Sequence, residues 1–256
     1  MTFRMLKSCA LALMLPGLAQ ADLPELSGNL QIPPAVQAAV EDSADLLIQV
    51  PGEVAADAPV PVRVRVLQSP VASLSLLSDA VDPVQLAQFD FQPGIRSRVD
   101  TRFMSADVDG VLVVVRTAAG RTYAGRRAFD RITHADALDT DEASAAAEEP
   151  EAALKLEARL LDDATEVTLR SVEPLVTRIQ ALSKSVPSNP VRQFELLRNG
   201  EPLVSAELDA VMWREPFFRF MVDGGKPGDR LTMNWVRADG QKGQLEGGLD
   251  AAPESE

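Results

Sequence analysis

Residues 60–66 read VPVRVRV, and their alternation decides the fold. Val60, Val62, Val64 and Val66 fall on one side of an extended chain, with Pro61, Arg63 and Arg65 on the other. That is the period of a strand with one buried and one solvated face. Working outward, Ala87, Phe89 and Phe91 alternate with Gln88 and Asp90 in the same way. Val111 to Val115 is an unbroken apolar run, as in a strand covered on both faces. The turn Ala118-Ala119-Gly120 leads into Arg121-Thr122-Tyr123 and Arg127-Ala128-Phe129. Turn signals recur roughly every 8–12 residues, the spacing of a β-sandwich. Upstream, residues 22–32 form a loose lead-in. Pro33-Pro34 before AVQAAVEDSA predicts a short helix with the prolines in its first turn.

Beyond Thr133 the pattern stops. HADALDTDEASAAAEEPEAA, residues 134–153, is acidic and alanine-rich, with almost no large apolar side chain. It reads as a charged linker between two domains. Strands resume at Leu154, with Leu156, Leu160, Val167 and Leu169 continuing the apolar face. Asn199-Gly200, between RQFELLR and EPLVSAEL, is the strongest hairpin signal, since both residues tolerate the positive φ of a type I′ turn. Phe218, Phe220 and Val222 alternate with Arg219 and Met221; Leu231, Met233 and Trp235 alternate in their turn, and Asp239-Gly240 makes another hairpin. The fold class is all-β: two sandwiches, at 33–133 and 154–250, joined by the 134–153 linker.

The first 21 residues differ in kind. Arg4 and Lys7 precede the apolar run Cys9 to Leu18, and Ala19-Gln20-Ala21 supplies a small-x-small cleavage signal before Asp22. The segment reads as a secretory leader, too short for a membrane anchor, so a periplasmic location is expected. Its removal takes the one cysteine, leaving no disulfide, thiol nucleophile or thiolate ligand. The formal charge of −13 becomes −15 without Arg4 and Lys7. That balance disfavours nucleic acid and an anionic membrane surface as partners.

Several stretches carry a resemblance. LLIQVPGEVA (46–55), DPVQLAQFDFQP (82–93) and RSRVDTRFMSADVDGVLVVVRTAAGRTYAGRRAFDRIT (96–133) resemble SoxY, the thiosulfate-oxidation carrier. TEVTLRSVEPLVT (165–177) and EPFFRFMVDGGKPGDRLTMNWVRADGQKG (215–243) resemble SoxZ. A Y-then-Z order in one exported chain is similar to the fused carriers associated with quinoprotein (PQQ-dependent) dehydrogenases. The resemblance implies two immunoglobulin-like sandwiches docked side by side. It implies partners among periplasmic Sox enzymes or a PQQ dehydrogenase and cytochrome c system. It also implies a flexible Gly-Gly-Cys-Gly-Gly arm after the last SoxY strand, whose thiol holds the sulfur intermediate covalently. Here that strand runs into His134-Ala135-Asp136-Ala137-Leu138-Asp139, with neither cysteine nor glycine pair. The carrier residue has no counterpart; His134 stands at the arm's position.

No residue pattern marks an enzyme. A lone imidazole, His134, is a poor metal site and no substitute for a thiol. Gly224-Gly225 and Gly228 precede a strand and lack the phosphate-loop pattern, and no carboxylate pair sits in a catalytic motif, so no cofactor is expected. Trp213 and Phe217-Phe218, near Arg214 and Glu215, read either as core or as the surface by which one module docks on the other. Arg96/Arg98/Arg102 and Arg121/Arg126/Arg127 read as solvated strand faces, one of which could hold an anion. Two roles stand open: a non-catalytic, carrier-derived scaffold, or a working carrier whose cargo is held non-covalently or through a partner's cysteine.

Overall fold

The computed structural model describes residues 44–55, 58–67, 70–79, 84–104, 108–132, 154–171 and 189–249. The leader, the helix expected after Pro33-Pro34, and the whole 134–153 segment including His134 lie outside them. The first half contributes nine strands: β1 Leu46–Gln49, β2 Glu53–Ala55, β3 Val60–Val66, β4 Val71–Ser78, β5 Gln85–Phe91, β6 Ile95–Phe103, β7 Gly110–Thr117, β8 Thr122–Ala128 and β9 Asp130–Ile132. The second contributes β10 Leu154–Leu160, β11 Ala164–Ser171, β12 Val191–Arg198, β13 Glu201–Leu208, β14 Phe217–Asp223, β15 Arg230–Arg237 and β16 Lys242–Gly248. A 3-10 turn, Ala210–Trp213, follows β13, with the Asp209 carboxylate accepting from the Val211 N–H at 3.0 Å as its cap.

The strands form a six-stranded sheet, β1-β3-β6-β14-β11-β10, facing an eight-stranded sheet, β16-β15-β12-β13-β5-β4-β7-β8. A small parallel pair, β2-β9, stands apart. The expected all-β sandwich architecture is therefore present. Its halves, however, are joined along strand edges as well as by packing. In the six-stranded sheet β6 pairs with β14, and in the eight-stranded sheet β5 pairs with β13, both antiparallel. An edge strand presents unpaired N–H and C=O groups. Each half here satisfies one edge of each sheet with the other half.

The two halves also repeat each other. The Ala118 N–H donates to Pro70 O at 2.8 Å, and the Ala238 N–H to Pro190 O at 2.9 Å. Asp79 donates to Gly110 O and Asn199 to Arg230 O, each at 2.8 Å. Both pairs of bonds are displaced by 120 residues, as are β4 and β12, and β7 and β15, at their first residues. In both sheets the strand that crosses to the other half therefore meets its own equivalent.

Alternation carries the core as the sequence predicts. Val60, Val62, Val64 and Val66 are all buried, while Pro61, Arg63 and Arg65 face solvent. Phe218 and Phe220 are 0% and 1% exposed. They meet Phe89 of the first half edge-on, at centroid distances of 6.0 and 5.8 Å, and Phe194 at 5.4 and 6.4 Å. One aromatic cluster thus belongs to both halves, and aromatic pairs in such geometries add about 0.5–1.5 kcal/mol beyond the area they bury. The hairpin at Asn199-Gly200 has φ of 53° and 87°, the doubly positive pattern of the type I′ turn.

Candidate functional site

Register defines what the outer face of the six-stranded sheet displays. Because inward and outward side chains alternate, the cross-strand partners Arg65–Arg98, Arg63–Asp100, Asp100–Arg219 and Arg219–Thr168 share that face. Arg102 lies on it opposite Pro61, and Arg170, Lys155, Arg159, Glu157 and Glu166 extend it to β10. At these positions eight basic side chains stand with three carboxylates, and Glu215 beside Arg102 and Asp163 and Asp223 beside Arg96 add three more at the borders, in a chain whose formal charge is −13. Folding gathers cations that the linear sequence disperses.

The face is hollowed where the halves meet. A cleft of about 360 Å³ is lined by Gln49, Val50, Pro51, Pro61, Arg63, Asp100, Arg102, Phe217 and Arg219. Asp100, buried at its floor, is shared. Arg98 reaches it with Nη2 at 2.7 Å and Nε at 3.1 Å, Arg63 with Nε at 3.3 Å, and Arg219 only at 3.9 Å. Arg102 is satisfied by Glu215, through an ion pair at 2.8 Å and a bond to its carbonyl at 3.2 Å. The guanidinium groups of Arg102 and Arg219 each lie 5.2 Å from the Phe217 ring centroid. Arg219 is the unbalanced member: its Nε is buried and makes no hydrogen bond, and the Glu166 carboxylate stands 3.7 Å away. A buried donor left in that state costs about 1–3 kcal/mol.

The opposite face of the sandwich carries the reverse charge at the same junction. On β5 and β13, Asp90 pairs with Ser205 and Gln88 with Glu207, so their outward carboxylates are neighbours. Burial pushes the Asp90 carboxyl above its ordinary value, against the lowering effects of the Gln88 hydrogen bond and the Arg116 charge. Burial, and then the Asp90 charge, push Glu207 up as well. A carboxyl whose folded pKa exceeds its unfolded value takes up its proton in the folded state first, so stability rises as pH falls through that window. Elsewhere the sign is opposite. Hydrogen bonds from Arg170 and Lys155 lower Glu157 to about 2, and Asp163, beside Arg96, is lowered too; the stability these supply is lost as pH falls below their unfolded values. The unfolding temperature is expected to rise as pH falls from neutral into the ordinary carboxyl range, 3.8 to 4.5, and to fall below it. In Asp90→Asn/Glu207→Gln the rise flattens and stability at neutral pH increases. A rise as steep as wild type, followed by differential scanning calorimetry, removes the pair as its source.

The residues singled out from sequence fall in distinct places. Trp213 and Phe218 are core, and Phe218 makes the cross-half contact; Phe217 points outward as the wall of the cleft. Thr101 donates from its hydroxyl to Phe217 O at 2.9 Å, fixing that strand against β6. Arg98 and Arg102 belong to the cleft region. Arg96 instead straps the halves together, with Asp163 at 2.7 Å and Asp223 at 2.8 Å. Arg126 pairs with Asp79 at 2.9 Å on the far side of the first half. Gly224, Gly225 and Gly228 all have positive φ and form a turn into β15. Arg63, Arg65 and Arg219 were legible only as outward strand positions; what adds them to the cluster is pairing between distant segments, Arg63 with Asp100 and Asp100 with Arg219.

With this geometry in place, residues 154–246 match the family model of the Sulphur oxidation protein SoxZ. The second half is a SoxZ-like domain. The match runs from the start of β10 into β16, the strands that form the second half of both sheets. A search of curated proteins finds no match to the chain. Among solved structures, superoxide reductase (neelaredoxin) from Ignicoccus hospitalis is 20% identical, covering 36% of this chain and 90% of its own, with a TM-score of 0.32. Murine CEACAM1b is 11% identical over 80% of this chain and 98% of its own, with a TM-score of 0.28.

Proposed function

We propose that this chain is a SoxYZ-like carrier-derived scaffold of the periplasm, non-catalytic and without the sulfur-binding cysteine, serving sulfur oxidation or a quinoprotein dehydrogenase system. The observation that carries the reading is the SoxZ match at 154–246, fused to a first half of equivalent strand order. SoxY-like motifs at 82–93 and 96–133 support the Y-like assignment of that half. The absence of cysteine after Cys9 supports the loss of covalent cargo, since the sulfur link needs a thiol. In this reading the joined sandwich survives as a binding platform for periplasmic proteins, while the arm position at His134 carries no reactive group.

The test is a mass measurement. Protein purified from the periplasm, beginning at Asp22, is incubated with tetrathionate, and its intact mass is expected not to change. Replacing residues 134–138 by Gly-Gly-Cys-Gly-Gly is expected to give a protein whose thiolate attacks the tetrathionate disulfide, gaining a Cys–S–S–sulfonate adduct and releasing thiosulfate. An adduct on the wild-type chain overturns the reading.

A further inference from the structure

We propose that the cleft between the halves, on the outer face of the six-stranded sheet, binds a small organic anion: a carboxylate or sulfonate on a compact apolar body. The charge argument comes first. Asp100 lies among three guanidinium groups, and Arg98 and Arg63 take its short contacts. Arg219 is left with carboxylates at 3.7 and 3.9 Å, both beyond hydrogen-bonding distance. Its side chain is 31% exposed and that of Arg63 54%, and both residues line the cleft. Arg63, Arg98 and Arg219 outnumber Asp100 and Glu166 by one charge, so one more anion balances the group without displacing an existing partner. Guanidinium groups take the oxygens of planar and tetrahedral oxyanions in bidentate fashion, and Arg63 and Arg219 both line the cleft.

The shape argument sets the rest of the ligand. About 360 Å³ lies within the range of small-molecule sites and exceeds what a bare inorganic oxyanion fills. Val50, Pro51, Pro61 and Phe217 give the remaining wall an apolar character. The site also needs both halves: Arg63 and Arg102 come from the first, Phe217 and Arg219 from the second. This inference is independent of the sulfur-carrier reading, because it rests on the cleft alone.

Titration calorimetry of the full chain with benzenesulfonate, benzoate and sodium sulfate as probes tests it. The aromatic anions are expected to bind saturably at one site, more tightly than sulfate, with affinity falling as ionic strength rises. Arg219→Gln is expected to weaken them by about tenfold or more while the protein remains folded by circular dichroism. Arg63→Gln, at a more exposed position, should weaken them in the same direction, and carries the test if the Arg219 variant fails to fold. Absence of saturable binding by either aromatic anion overturns the proposal. So does binding that ignores both substitutions, or sulfate binding as tightly. Arg219-dependent binding of polyglutamate without binding of the small anions makes the face a docking surface for an acidic macromolecule, and the proposal fails.

Discussion

Phe89→Ala is expected to lower the stability of the whole chain by about 3–5 kcal/mol, and to lower it for both halves at once. Phe89 is 0% exposed and sits on β5, the strand that pairs with β13 across the junction. Its ring touches Phe91 at 6.3 Å as well as Phe218 and Phe220, so truncation empties a space bounded by both halves. Against a total stability of about 5–15 kcal/mol this is a large fraction. The readout is favourably placed: Trp213 and Trp235 both belong to the second half, while the substitution lies in the first. Denaturant unfolding followed by tryptophan fluorescence should shift to lower midpoint together with the far-ultraviolet circular dichroism. A fluorescence midpoint that stays at the wild-type value means the halves unfold independently and the shared core is wrong.

The second large effect is an absence of separation. A protease site introduced between residues 134 and 153 and then cut is expected to leave two polypeptides that co-elute as one species. Two strand pairings hold them, β5 with β13 from Ala87↔Leu208 to Phe91↔Val204, and β6 with β14 from Ile95↔Val222 to Thr101↔Phe218. The phenylalanine cluster lies between those pairings, and the Arg96 and Arg102 ion pairs cross the junction outside it. Separation would expose four strand edges and a wall of aromatic rings, an unfavourable state in water. Cutting does convert unfolding into a bimolecular equilibrium, so the melting temperature should become dependent on protein concentration. Two peaks on gel filtration immediately after cleavage would falsify the continuous-sheet junction.

Local features of this fold were legible because a strand writes its burial at period two. Val60 to Val66 and Phe218 to Val222 place their apolar residues inward as their spacing dictates, and the same spacing turns Phe217 outward to the cleft. Asn199-Gly200 declares its turn because few other residues adopt two positive φ angles. Trp213 was ambiguous from sequence because a bulky aromatic suits both core and interface; the Asp209-capped turn tips it inward to 3% exposure. The pairing between halves left no comparable mark. Nothing in β6 or β14 names the other as its partner, since register between distant strands is a property of the assembled sheet. The arginine cluster, assembled from β3, β6 and β14, was illegible for the same reason. Leu112, 1% exposed, follows from the unbroken apolar run 111–115, whereas Leu77, its cross-strand partner and 2% exposed, is a further case that alternation along β4 does not account for.

The meeting of each crossing strand with its own equivalent has a consequence for assembly. Antiparallel pairing of a strand with its counterpart is the signature of a two-fold axis, the arrangement that an isologous homodimer uses. A single half with these edges has the geometry to close on an identical copy, burying one patch against itself. Placing both halves on one chain replaces that encounter between molecules with an intramolecular one, set by tether length instead of abundance. It also releases the two sides from identity. The halves are then free to differ, and Arg63 on one side of the axis can face Phe217 and Arg219 on the other, a combination no symmetric pair could offer singly.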